Sequence, residues 1–258
     1  MTASDLVKTQ IKRALASKGY LVGRIDDLTY LADLFGSDKG TRSCAHWYTR
    51  IYAKLFKALR NDQLTIVEIG LHRPEIDQRR ASNTVEGTTP AVASRAPSLE
   101  MWGAYFANAE IYGFDIDDFS KVKIDRCKIV RGDMSSRDDL ASLVGAIGRP
   151  IDIVIEDGSH ASHHQQIALG YLFSYVQKGG IYVIEDLHWQ DEKLECCGSP
   201  KTRDILRRFQ VDGVIKSPFF SPEEQRYVQE NLKKVYLFDS CTTAVDDPTD
   251  ALAVLVKK

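Results

Sequence analysis

The sequence predicts an α/β fold: a mostly parallel, doubly wound sheet with a helical N-terminal extension and an antiparallel edge. Three observations carry this reading. From residue 64 onward, short apolar runs rich in β-branched residues alternate with longer amphipathic runs, the pattern of a parallel sheet covered by helices on both faces. The first 60 residues show helical periodicity instead. Near the end, "KKVYLFDS" and "ALAVLVKK" read as two strands of an antiparallel hairpin.

The elements follow in order. "MTASDLVKTQIKRALASKG" places Leu6, Ile11, Ala14 and Leu15 on one helical face, and "IDDLTYLADLFG" is a short helix ending at Gly36. "AHWYTRIYAKLFKAL" repeats apolar residues at Trp47, Ile51, Leu55 and Leu59, and the polar loop "GSDKGTRS" precedes it. The strands are read at 64–70, 109–116, 127–133, 150–157 and 179–186. Between them "SLEMWGAYFA", "SRDDLASLVGAI" and "HHQQIALGYLFSYVQ" read as helices. Residues 72–97, rich in Pro, Thr, Ser and charge, read as a long mobile insert after the first strand. Residues 187–222 hold several prolines around one helix, "TRDILRRFQV", and read as a lid or acceptor-binding cap. The domain plan is therefore a helical segment over 1–60 that covers the site, and one domain over 61–258.

Bulk properties exclude several classes. With 258 residues, 43% hydrophobic and 27% charged, the chain suits one large soluble domain. A formal net charge of −2 disfavours a nucleic-acid partner. No apolar run approaches the ~20 residues needed to span a bilayer, so no membrane partner is expected. The five cysteines (Cys44, Cys127, Cys196, Cys197 and Cys241) are odd in number and scattered. That argues for a reducing cytoplasm rather than a disulfide framework. A homo-oligomer is compatible with all of this.

Ligands of open α/β sheets bind beyond the carboxyl ends of the strands. Those ends read "VEIGLH", "GFDID", "RGDM", "IEDGSH" and "IEDLHW". Single acids there cap the next helix about as often as they bind a ligand, but a whole row of them points to a site. Gly70 lets the backbone approach a ligand closely. Asp115 is placed to accept from ribose hydroxyls, and Asp133 to present an acid to an adenine edge. No GxGxxG occurs, so a nucleoside without a diphosphate fits better; S-adenosylmethionine is the commonest such cofactor. If strands four and five are neighbours, Asp157, Glu185 and Asp186 converge. Like charges so close call for a cation, and an all-oxygen set suits Mg²⁺, with Mn²⁺ or Ca²⁺ as alternatives to it. His160, three residues after Asp157, is placed to act as general base. His163 and His164 fall on the following helix, and a zinc site of these histidines lacks an HExxH pattern.

"IEDGSHASHHQ" followed by "GGIYVIEDLHW", with "VEIG", "SLEMWGAYFANAEIYGFDID" and "LADLFGSDKGTRSCAHWYTRIYAKLF" upstream, resembles the metal-dependent sugar O-methyltransferases, those of macrolide deoxysugars and bacterial saccharides. Proteins described as cephalosporin hydroxylase-like are among the relatives of that family. The resemblance covers roughly 28–70 and 98–190. It implies a Rossmann-like class I methyltransferase using S-adenosylmethionine and Mg²⁺ on a saccharide or other small-molecule acceptor. It implies Asp157, Glu185 and Asp186 as metal ligands and His160 as the base. Glu68, Gly70, Ser98, Asp115, Asp133 and Asp157 fall to the cofactor side, and His46 and Tyr48 to an N-terminal segment closing over cofactor or acceptor. His188 and Trp189, just past the metal ligands, are candidates for binding the sugar, with core packing and capping as the plain alternative. The insert over 72–97 departs from the short Gly-rich loop of the family. Two other readings stay open: a catechol-type O-methyltransferase, which needs a flat apolar slot, and a metal-dependent hydroxylase, which needs a His-rich iron triad that the sequence lacks.

Overall fold

A computed structural model describes residues 12–14, 27–42, 46–71, 93, 95–188, 193–196, 198–241 and 250–258. These fall into two compact units. The first holds residues 1–63, 72–111 and 118–128, and the second 64–71, 112–117 and 129–258.

In the first unit, α1 (Leu28–Phe35) begins where the Asp27 carboxylate accepts the Tyr30 N–H and ends at Gly36, which takes the left-handed conformation (φ 79°). Asp33 then folds the following loop back, accepting from the Thr41 N–H and Oγ1. α2 (Thr49–Phe56) follows, then a 3₁₀ turn (Lys57–Leu59). α3 (Pro97–Tyr105) packs on α1. Tyr52, Phe56, Trp102 and Phe106 form an aromatic cluster with ring centroids 5.3–6.0 Å apart, mostly edge-on or tilted as ring quadrupoles prefer. Pro97 suits a first helical turn, where its missing N–H costs nothing.

The second unit is built on the sheet. The strands are β1 (Thr65–Ile69), β2 (Glu110–Asp115), β3 (Cys127–Arg131), β4 (Ile151–Glu156), β5 (Val176–Ile184), β6 (Leu232–Phe238) and β7 (Leu252–Lys257). They are ordered β3-β2-β1-β4-β5-β7-β6. β1, β4 and β5 run parallel, whereas β7 is antiparallel to both β5 and β6. The mostly parallel sheet with an antiparallel edge is thus as the sequence implied. Helices α4 (Arg137–Ile147), α5 (Ser162–Leu172), α6 (Thr202–Asp212) and α7 (Pro222–Asn231) complete the unit. Val67, Val154, Tyr182 and Leu255 lie in one buried cluster with Leu143, Leu169, Leu206 and Val228 of these helices. β1 is buried at every position, as expected of a central parallel strand.

Two elements differ from the sequence reading. The helix read over 163–177 stops at Leu172, and "VQKGG" belongs to β5. Gly179 at φ 78° absorbs a register shift there, since Ile151 pairs Val176 but Ile153 pairs Ile181. The sequence reading also has no helix over Pro222–Asn231. The signal is "SPEE": Ser221 Oγ accepts the Glu224 N–H, and Glu224 accepts the Ser221 N–H in return (2.7 Å).

Candidate active site

The carboxyl ends of β1, β4 and β5 are drawn level by backbone bonds beyond the strands. Asp157 N–H donates to Ile69 O (2.8 Å) and Glu185 N–H to Glu156 O (2.9 Å). Gly70 (φ 81°) is where β1 meets this edge. A Cβ there would lie 2.0 Å from the Asp157 carbonyl oxygen. The room that a glycine leaves is filled by the backbone of Asp157 and Gly158, so Gly70 allows the two loops to touch.

Side-chain atoms of Asp157, His160 and Asp186 all lie within 4.8 Å of one another. His160 Nε2 stands 3.6 Å from Asp186 Oδ2. Both His160 (φ 58°) and Asp186 (φ 54°) take the left-handed backbone conformation, which side chains other than glycine adopt only at a cost and which clusters at functional sites. Two carboxylates and an imidazole are a donor set that could hold a divalent cation. Glu185 is buried, and its carboxylate is not in this group. His188 Nδ1 is 3.8 Å from Asp186 Oδ1 and accepts the Ala251 N–H (3.1 Å), an anchor for the start of β7. Trp189 lies outside the described residues.

Glu156 is a residue whose importance the sequence reading passed over. It is fully buried, its Oε1 accepts the Gly158 N–H (3.2 Å), and its Oε2 has no partner among the described residues. Burial pushes its carboxyl up to about 8; the Gly158 N–H offsets part of this, and the charges of Asp157 and Asp186 add to it. Near pH 7 Glu156 is therefore mostly neutral. The buried Tyr182 hydroxyl also lacks a partner among the described residues, and burial, then Glu156, raises its pKa.

At the other strand ends, Asp115 Oδ2 accepts the Leu71 N–H and Oδ1 the Asp117 N–H, each at 2.8 Å. Asp115 thereby fixes the turns after both β1 and β2. Between the buried Asp115 and Asp117 stands Ile116, 59% exposed. The sequence reading missed Ile116, although "FDID" signals it by placing one apolar residue between two acids past a buried strand. Glu68 is fully buried in β1. Asp133 accepts from both the N–H and Oγ of Ser135, shaping the turn into α4. Three residues of the sequence reading belong to the first unit: Ser98 is buried at the start of α3, and Tyr48 is buried with its ring stacked on His46 at 5.5 Å. Of the stretch read as a lid, the part around 193–202 is tied to α5. Glu195 accepts the Ser162 N–H (2.8 Å), and Gln166 Nε2 donates to Pro200 O (2.8 Å). The insert read over 72–97 lies almost wholly outside the described residues.

No protein-family model matches the chain. Mycinamicin VI 2''-O-methyltransferase of Micromonospora griseorubida is 30% identical over 203 residues, 75% of this chain and 46% of that protein. The 8-demethyl-8-alpha-L-rhamnosyl tetracenomycin-C 2'-O-methyltransferase of Streptomyces olivaceus is 39% identical over 163 residues, 63% of this chain and 38% of that one. A solved structure of MycE methyltransferase in complex with Mg, SAH and mycinamycin VI superposes with a TM-score of 0.64 at 27% identity, covering 90% of this chain and 54% of that one. The chain spans about half the length of the curated relatives it matches. Over that matched length the chain is similar, in sequence and in fold, to these sugar O-methyltransferases.

Proposed function

We propose that the chain transfers a methyl group from S-adenosylmethionine to a hydroxyl of a sugar, with a divalent cation held at the acid cluster. The observation that carries this is the convergence of Asp157, His160 and Asp186, two of them on left-handed backbone, at the carboxyl ends of β4 and β5. Asp157 and Asp186 would hold Mg²⁺ or Mn²⁺. Such a cation, when bound, supplies positive charge that lowers the pKa of a neighbouring sugar hydroxyl. His160 takes the hydroxyl proton at Nε2, and Asp186, 3.6 Å away, stabilises the charge the imidazole gains. Asp115 and Asp117 are buried acids on either side of the open apolar Ile116. Hydrogen-bond acceptors beside an apolar surface suit a nucleoside, and S-adenosylmethionine supplies the electrophilic methyl. The relatives' names place sugar-bearing antibiotics among acceptors of this family. Cys127, Cys196 and Cys241, none of them in a disulfide, fit a cytoplasmic setting, and no helix among the described residues is long and apolar enough to cross a membrane.

Transfer of radiolabelled methyl from S-adenosylmethionine to a panel of deoxysugar glycosides and catechols tests the reading. Label should enter glycosides, stop with EDTA and return with Mg²⁺ or Mn²⁺. Full transfer after rigorous chelation, or transfer confined to catechols, would reject it.

A further inference from the structure

His160 holds a backbone conformation that a histidine seldom takes unaided (φ 58°). The contacts around the preceding loop show what keeps it there. Gly158 is pinned from below, where its N–H meets Glu156 Oε1 and a Cβ on it would lie 2.3 Å from Met134 Sδ. Ser159 rests on the same sulfur, its N–H 3.5 Å from Met134 Sδ. Neither contact reaches forward past His160. One does: Ser159 Oγ lies 2.7 Å from Nδ1 of His164, in the first turn of α5. This bond spans His160 and closes a loop of six residues around it, Ser159 to His164.

The His164 ring is itself fixed. It lies 4.1 Å from the His163 ring, which in turn lies 5.7 Å from Phe219. Burial, then His163, holds His164 below the ordinary histidine range against the opposing pull of Asp133 and Glu195. A neutral imidazole has one bare nitrogen and one N–H, so Nδ1 shares this bond with the Ser159 hydroxyl in either tautomer.

We propose that His164 is a positioning residue: through Ser159 it fixes the left-handed backbone of His160 and so sets where that imidazole stands against Asp157 and Asp186. The claim deepens the proposed function, resting on the reading of that group as the reacting centre. It assigns a role to a histidine that the helix periodicity alone leaves on a packing face.

Asparagine carries polar atoms on Cγ, as histidine carries Nδ1, so His164→Asn can keep the bond; His164→Leu cannot. Mn²⁺ titration followed by electron paramagnetic resonance reads the group, and the carbon chemical shifts of His160 read its backbone. In His164→Leu and Ser159→Ala, Mn²⁺ affinity should fall by about tenfold or more, as when support behind a metal site is lost. The His160 shifts should leave their left-handed values. His164→Asn should restore both readouts, and the Ser159→Ala/His164→Leu double variant should be no worse than either single one. Wild-type affinity and shifts in His164→Leu, no rescue by asparagine, or additive losses would each overturn the proposal. Asp186→Asn is the control for the metal reading. If neither it nor the wild type takes up Mn²⁺, the metal reading fails, and the His160 shifts still decide the role of His164.

Discussion

The sheet buries charge at both of its ends, and it does so in opposite ways. At the amino end of β5, Lys257 is 6% exposed, and its ammonium donates to the carbonyls of Phe173, Ser174 and Val176 at 3.1, 3.2 and 2.5 Å. It lies 4.7 Å from the centroid of Tyr227. These carbonyls follow the last turn of α5, where the helix dipole favours a cation. Every donor of the ammonium is used. At the carboxyl end, Asp157 and Asp186 converge on left-handed or tightly turned backbone beside Glu156, one oxygen of which has no partner among the described residues. The first arrangement is complete within the chain. The second carries like charge and strain that folding alone does not relieve. Burial of charge therefore points to a binding site where like charges converge.

The contrast can be broken by removing one charge from each end. Asp186→Asn should lower methyl transfer by about 10³-fold or more, given the several kcal/mol a bound cation contributes to charge stabilisation. The same change in metal-free protein should leave stability unchanged or raise it by about 1 kcal/mol, because asparagine tolerates a left-handed backbone and a like charge is gone. Labelled methyl transfer and urea unfolding in EDTA measure the two effects. A clear loss of metal-free stability would show that Asp186 is structural. Lys257→Met should do the reverse. It should cost about 2–4 kcal/mol through three lost charge-assisted bonds, with transfer per folded molecule unchanged. Urea unfolding alongside active-site titration would show it. A stable but inactive variant would erase the distinction between the ends.

Much of this was legible in the sequence. Five strand ends are legible as apolar runs closing on Gly or acid, and "IEDGSH" and "IEDLHW" single out Asp157, His160, Glu185 and Asp186, of which Asp157, His160 and Asp186 lie together in the structure. "ED" occurs at the end of both β4 and β5, and only the three-dimensional course of the chain shows that Asp157 and Asp186 are grouped with His160. Long-range partners were also hidden. Nothing in "HASHHQ" says that His164 turns back to Ser159, or that Met134, after a different strand, supports Gly158. Local signals were present but underused: "SPEE" names its own capping box, and Gly179–Gly180 marks the bulge that lengthens β5.

Glu156 acts gradually, and it separates the two ends by pH. Its carboxyl is raised from an ordinary 4.5 to about 8 by burial. As pH rises above 4.5, the unfolded chain releases this proton first, while the folded chain keeps it until about 8. The folded state then binds more protons than the unfolded one, so stability falls with rising pH across that window. Its slope is at most about 1.4 kcal/mol per pH unit. Glu156→Gln has no proton to lose and keeps an acceptor for the Gly158 N–H. In metal-free protein it should match the wild type near pH 4.5 and be progressively more stable up to about pH 8. Urea unfolding in EDTA at four pH values across the window measures it. Parallel profiles would mean that Glu156 is charged in the folded protein, and that the carboxyl end of the sheet tolerates a third negative charge without a cation.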